Sequence, residues 1–219
     1  MMEAVNAFLL GFPALFSIVN PISGAFIFRG VTADRSAEAR AAIARRAALN
    51  SLWVMMGALW AGSYLLAFFG ITLAALRVAG GLVIALSGWH LLNTPERHEV
   101  EKQEQAASAE GVEEIALFPL TIPFTTGPGT ISVAVALGAG RPRLFGGLGW
   151  FFLGMTAAAV AMTAVIWVTY HYADWLARLT GPTGMRTISR TAAFLLLCIG
   201  VQIFIRGLED VLGPLLAAR

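Results

Sequence analysis

Charge is what this sequence has least of. Of its 219 residues, 13% are Asp, Glu, Lys or Arg, about half the share of roughly 25% found in soluble chains and too few to cover a globular surface. Cysteine is almost missing too. Cys198 is single, which excludes an intramolecular disulfide and any multi-cysteine metal centre, so it reads as a small apolar filler. The three histidines, His90, His98 and His171, lack zinc-site spacing. There is no Gly-x-Ser-x-Gly elbow and no Gly-Lys-Ser/Thr phosphate loop, and no acidic residue lies deep in an apolar stretch. A membrane-embedded hydrolase or phosphotransferase needs such groups. No catalytic residue, metal or cofactor is therefore expected, and the chain is not read as an enzyme.

What is present is hydrocarbon: 58% of residues are hydrophobic and the mean hydropathy is +0.74. Leu144 to Val168 and Ala47 to Leu76 contain no acidic or basic side chain, and a helix needs roughly 20 residues to span a bilayer. The expected fold is an all-α polytopic bundle of six transmembrane helices forming one domain over residues 1–219. Helix 1 is placed at Ala4–Phe28, helix 2 at Ala47–Phe69, helix 3 at Ile71–Leu92, helix 4 at Ile115–Leu137, helix 5 at Leu144–His171 and helix 6 at Ser189–Leu208. The first apolar stretch has no basic leader or small-residue cleavage pattern and is expected to be retained as helix 1. A net charge of +2 comes from arginines between the spans, so it reads as a topology signal and not as a nucleic-acid surface.

A glutamate-rich linker, Asn93 to Glu114, separates two similar halves. Helix 1 is interrupted by Asn20-Pro21-Ile22-Ser23-Gly24 and helix 4 by Gly127-Pro128-Gly129-Thr130; helix 3 opens on Arg77 and helix 6 on Arg190. A unit of three spans ends on the opposite side of the membrane from its start, so the second unit (residues 115–219) inserts upside down relative to the first (1–92), the inverted repeat of many secondary transporters. Arg29, Arg35, Arg40, Arg45 and Arg46 after helix 1, with Arg178, Arg186 and Arg190 before helix 6, place those loops in the cytoplasm. The linker is then cytoplasmic and both termini are periplasmic, with Arg141 and Arg143 against the trend.

A helix breaks at membrane depth only where protein or a water-filled cavity receives the freed backbone groups. A proline kink whose neighbouring hydroxyls bond their own backbone explains either break taken alone. Two breaks at equivalent positions of an inverted repeat point instead to a binding site near the midplane. Each new half-helix would offer unpaired N–H groups and the positive end of its dipole to a carboxylate. The candidate substrate-binding residues are Asn20, Pro21, Ser23, Gly24, Thr126, Gly127, Gly129 and Thr130. Arg77, Arg190 and Gln202 are supporting candidates, Arg77 and Arg190 reading equally well as snorkelling side chains and Gln202 as an interhelical hydrogen bond. Gly80, Gly81, Ala85 and Gly88, with Gly57 and Gly62, read as sites of close helix packing.

At these breaks the chain resembles the MarC family of bacterial membrane proteins, whose first helix carries Asn-Pro-Ile and whose fourth carries Pro-Leu-x-x-Pro followed by Gly-Pro-Gly. Here these are Asn20-Pro21-Ile22, Pro119-Leu120-Thr121-Ile122-Pro123 and Gly127-Pro128-Gly129. The stretches Arg77 to Gly81 and Arg190 to Gln202 also look like the family's third and sixth helices. Phe26 stands where the family often has a second proline, and Thr125-Thr126 replace residues that are usually apolar. The resemblance implies a multi-pass protein of the bacterial inner membrane that exports or exchanges small neutral amino acids such as glycine or alanine. The alternative is a non-transporting membrane scaffold or partner subunit. Coupling ion and homo-oligomeric state are left open.

Overall fold

The computed structural model describes residues 2–93, 111–140 and 145–217. Most of the expected linker, and Arg141 and Arg143, lie outside them. The helices in chain order are α1 (Met2–Val19), α2 (Pro21–Val31), α3 (Ala37–Phe68), α4 (Leu73–Asn93), α5 (Val112–Ile115) running into a π-helix over Ala116–Thr125, α6 (Pro128–Ala139), α7 (Phe145–His171) and α8 (Ala173–Ala217). No strand occurs among the described residues. Among the described residues four stretches, Met2–Val31, Ala37–Phe68, Leu73–His90 and Gly147–His171, are long and apolar enough to cross a membrane, and Val112–Ala139 makes a fifth if its bent halves are one span. Large apolar side chains cover the outside, with Trp53 73% and Phe68 82% exposed, an exterior suited to lipid.

Two helices start earlier than expected. α3 begins at Ala37, where Ser36 Oγ accepts the Ala39 N–H at 3.2 Å as an N-cap. Its first turns carry Arg40, Arg45 and Arg46, good helix formers that continue the helix beyond the apolar run. α8 begins at Ala173 and runs through a kink at Gly181, whose φ of 62° is left-handed. Between α3 and α4 the turn is tight. Gly70 at φ 67° gives its N–H to Ala67 O, and the Ile71 N–H reaches Leu66 O, the paired bonds of a Schellman stop.

Small residues decide which helices touch. Along α1 and α7 the contacts advance together, from Glu3 at Gly147 through Ala7 at Gly154 to Gly11 at Met155 and Ala158, so these helices run parallel. α4 and α8 form the most extensive pair and run antiparallel: Gly207 meets Arg77 and Val78, Gly81 meets Gly200 and Phe204, and Gly88 meets Ala193 and Leu197. Most of the nearest atoms in that pair are backbone, the close approach that glycine permits where lipid gives no hydrophobic drive to association. Leu15, Met55, Leu59, Met155, Met162 and Ile166 fill the interior between α1, α3 and α7.

One face of the bundle gathers charge. Asp174, at the start of α8, accepts from Arg29 at 3.0 Å and Arg40 at 2.6 Å, and Arg46 pairs with Glu113 at 2.7 Å. The ends of α2 and α7 and the starts of α3, α5 and α8 therefore share this face.

Candidate functional site

The first break is one residue wide. Asn20 has φ 48° and ψ 64°, left-handed values that asparagine tolerates better than most residues. Its Oδ1 accepts the Ser23 N–H at 3.4 Å, while Pro21 occupies the first helical position, where no N–H is needed. The chain barely loses its helical path, since Asn20 N–H still reaches Phe16 O and Gly24 N–H reaches Asn20 O, both at 3.0 Å. The buried Ser23 Oγ has no hydrogen-bond partner among the described residues.

The second break is wider than the sequence indicates. The expected interruption was Gly127 to Thr130, but departure from helical geometry starts at Phe118 and recurs at Ile122. Each precedes a proline, Pro119 and Pro123, and both X-Pro bonds are cis. A residue before proline is pushed out of the α region, so two prolines four apart widen the ladder into a π-helix before Gly127 is reached. From there the chain turns by 67° into α6, with Gly127 extended at its N-cap and Pro128 at its first position.

Threonines satisfy the loosened carbonyls. Thr121, Thr125, Thr126 and Thr130 are all buried, and each hydroxyl donates to the carbonyl five residues back: Ala116 O at 2.6 Å, Leu120 O at 2.6 Å, Thr121 O at 3.0 Å and Thr125 O at 3.3 Å. These hydroxyls give the carbonyls of the irregular stretch a donor from a side chain, in the case of Thr121 O beside the Thr126 N–H at 2.8 Å.

The two breaks come together. Ile18 and Ile84 approach Gly129, where a Cβ would sit 3.5 Å and 2.9 Å from them. Tyr170, 1% exposed near the end of α7, touches both sides. Its ring stacks on Phe28 at 4.9 Å and covers Gly24, where a Cβ would lie 2.8 Å from the hydroxyl. Its hydroxyl is 2.6 Å from Thr125 Oγ1. Sequence reasoning missed Tyr170, because a tyrosine between Thr169 and His171 at a span end reads as an interfacial aromatic. Thr125 stood out as polar but was not among the candidates.

Of the expected site residues, Pro21, Gly24, Thr126 and Thr130 are buried, while Asn20, Ser23, Gly127 and Gly129 are half-buried. Arg77 pairs with Asp210 near the other end of α8, and Arg190 and Gln202 are exposed. At the charged face, hydrogen bonding from Arg40, and then Arg29, holds the Asp174 carboxyl below the usual carboxylate range. A groove of about 380 Å³ opens at the α7–α8 junction, lined by Val168, Thr169, Tyr172, Trp175 and Leu176. None of the five is an expected site residue. Among the described residues no group of three His, Cys, Asp or Glu side chains is placed to hold a metal.

Comparison with known proteins agrees with the motifs at the breaks. The family described as MarC family integral membrane protein matches residues 5–212. The inner membrane protein MarC of Citrobacter koseri is 30% identical over 218 residues, which cover 97% of this chain and 98% of the relative. The protein of the same name from Escherichia coli shows the same identity and coverage. No solved structure matches the chain.

Proposed function

The chain belongs to the MarC family of integral membrane proteins, and we propose that it is an inner-membrane transporter of small neutral amino acids such as glycine or alanine, an exporter or exchanger and not an enzyme. The substrate binds where the two broken helices meet, with its carboxylate at the starts of α2 and α6. Asn20, Pro21, Ser23, Gly24, Thr126, Gly127, Gly129 and Thr130 line the site, mostly through backbone, and no metal or cofactor takes part. The observation that carries this reading is the convergence of both breaks on Tyr170, through Gly24 on one side and Thr125 on the other. A pair of interrupted helices facing each other is how many transporters build a midplane site.

The reading includes six crossings arranged as inverted three-helix units, residues 1–92 and 115–219, joined by a cytoplasmic linker. Helix pairing supports it. Expected helix 1 (α1, α2) packs on helix 5 (α7), and helix 4 (the π-helix and α6) packs on helix 2 (α3), the reciprocal contacts that a two-fold relation between the units requires. Helices 3 and 6 (α4, α8) pair with each other. The arginine-rich face, with Arg29, Arg40 and Arg46, is the cytoplasmic one. Glu3 and Gly147 meet near the N-terminus on the periplasmic face, and both termini belong to that side.

Purified protein in liposomes tests the function. Labelled glycine, alanine or serine should exchange across the membrane, and Asn20→Ala should abolish exchange. Neither binding nor exchange of any of the three, with Asn20→Ala indistinguishable from wild type, would favour the scaffold reading.

A further inference from the structure

The Tyr170 hydroxyl has one hydrogen to give, and the geometry fixes where it goes. Thr125 Oγ1 lies 2.6 Å from Leu120 O and 2.6 Å from the Tyr170 hydroxyl. A threonine hydroxyl carries a single hydrogen. A carbonyl can only accept, so the threonine hydrogen points at Leu120 O and Tyr170 is the donor to Thr125 Oγ1. We propose that this bond is a latch that closes the substrate site, and that a zwitterionic amino acid opens it by supplying a new partner to each end.

Three observations support a latch over a passive core contact. The bond joins the two breaks, because Thr125 ends the π-helix of the second while the Tyr170 ring lies on Gly24 and Phe28 of the first. The ring has no slack on the first side: a Cβ on Gly24 would meet the hydroxyl at 2.8 Å, Cε1 at 3.1 Å and Cζ at 3.4 Å. Both partners are 1% exposed, so water does not compete with the bond while the site is closed. The chemistry of the two ends then names the ligand class. The Tyr170 O–H, once released, donates to a carboxylate, and the freed lone pair of Thr125 Oγ1 accepts from an ammonium group. A molecule carrying both, a short distance apart, replaces the latch without leaving either hydroxyl unpaired. An acid or an amine alone satisfies only one end.

The ligand part of this inference rests on the transport reading, whereas the latch is measurable without a ligand. In a Cys198→Ser background, Ser23→Cys places a lone thiol at the first break, and its labelling by a water-soluble maleimide in the full-length protein reports opening. Tyr170→Phe keeps the ring stack and removes the bond. Loss of one neutral hydrogen bond corresponds to roughly a two- to tenfold change in an equilibrium, so labelling should accelerate by about that factor. Thr125→Ala should do the same, Thr125→Ser should restore the parent rate, and Tyr172→Phe on the exposed neighbouring ring should change nothing. Gly24→Ala, which drives its Cβ against the hydroxyl, should accelerate labelling in the parent but add little to Tyr170→Phe, because both act on one contact. Unchanged labelling in both Tyr170→Phe and Thr125→Ala overturns the latch, even where glycine stabilises the wild-type protein thermally and transport stands. Faster labelling in both, with no amino acid shifting the wild-type melting temperature, leaves the latch in place and removes the amino acid substrate. With both in place, glycine should stabilise the wild-type protein more than acetate or methylamine, and Tyr170→Phe in the wild-type background should lose that preference.

Discussion

Gly88→Ala should lower the melting temperature by roughly 4–8 °C, and the reason lies in how α4 meets α8. A Cβ at position 88 would sit 2.5 Å from Leu197 N, 2.8 Å from Leu197 Cα and 2.9 Å from Ala193 O. All three are backbone atoms, so no rotamer change clears them, and the helices must part by at least 0.5 Å to reach even 3.0 Å. Overpacking costs about 1–3 kcal/mol, and rigid neighbours push the cost toward 3. Alanine's better helix propensity returns up to about 1 kcal/mol, leaving about 2 kcal/mol of destabilisation. At about 2–4 °C per kcal/mol for a chain of this length, the stated shift follows. Gly57 is the matched control, since nothing lies within 4 Å of a Cβ there, and Gly57→Ala should raise the melting temperature by up to about 4 °C. Thermal unfolding followed by size-exclusion in a single detergent measures both. Equal or higher stability in Gly88→Ala, or both variants moving the same way, refutes the backbone contact between α4 and α8.

Asn20→Ala loses its cap bond to Ser23 and leaves the left-handed backbone at position 20 to a side chain that cannot hydrogen-bond locally to hold it, about 1 kcal/mol for each effect, so it should melt roughly 4–8 °C below wild type. Asn20→Gly tolerates that backbone and should lose only a few tenths of a kcal/mol; a melting temperature as low as that of the alanine variant would mean that position 20 is not left-handed. Ser23→Ala removes a buried hydroxyl with no partner among the described residues and should leave thermal stability equal or slightly higher, while weakening glycine binding if Ser23 contacts the substrate; isothermal titration reads the second effect. The Asp174 carboxyl is held below its ordinary range by Arg40 and Arg29, so its pairing stabilises the fold above the unfolded pKa of about 3.9 and is lost as pH falls through the lower folded value. Wild type should therefore lose more stability than Asp174→Asn on acidification below about pH 4. The difference should stay under about 1 kcal/mol, because the Asp174 side chain is 46% exposed, and identical pH profiles would show that the pairing contributes nothing.

The parts of this fold that can be read along the chain are those whose cause is local. Asn20-Pro21 announces a break because proline removes a donor and asparagine tolerates left-handed backbone, and the break is there at one-residue width. Gly81 and Gly88 announce close packing because only a residue without a Cβ admits another backbone, and α8 is what they admit. Helix starts are less local. Ala37 to Arg46 is polar enough to look like a loop, yet the same arginines make good helix and find Asp174 and Glu113 at the bundle's edge. Pro119 and Pro123 are visible in the sequence as a motif ahead of Gly127, but that the irregularity reaches back to Phe118 is seen only in the non-helical backbone that precedes each of them. Tyr170 is the extreme case. Nothing within α7 distinguishes it from an interfacial aromatic, and its importance comes from Gly24 and Thr125, distant in sequence.

The threonines also constrain what a ligand can touch. With Thr121, Thr125, Thr126 and Thr130 each donating to a carbonyl of the second break, none of these hydroxyls has a hydrogen left for a substrate carboxylate in the closed site. The donors left for that carboxylate are a backbone N–H at a half-helix start, the Asn20 side-chain amide, the Ser23 hydroxyl, which has no partner among the described residues, and the Tyr170 hydroxyl released from Thr125. The three side-chain donors belong to the first broken helix or to the ring lying on it, whereas the second offers chiefly lone pairs and backbone. The two breaks are therefore equivalent in position but not in side-chain chemistry: beyond the backbone N–H groups that both half-helix starts offer a carboxylate, the first adds side-chain hydrogens and the second adds acceptors. A ligand with a negative and a positive end is oriented by that difference, its carboxylate at the half-helix starts and its ammonium toward Thr125, and a motion that parts the two breaks disturbs the contacts of both ends at once.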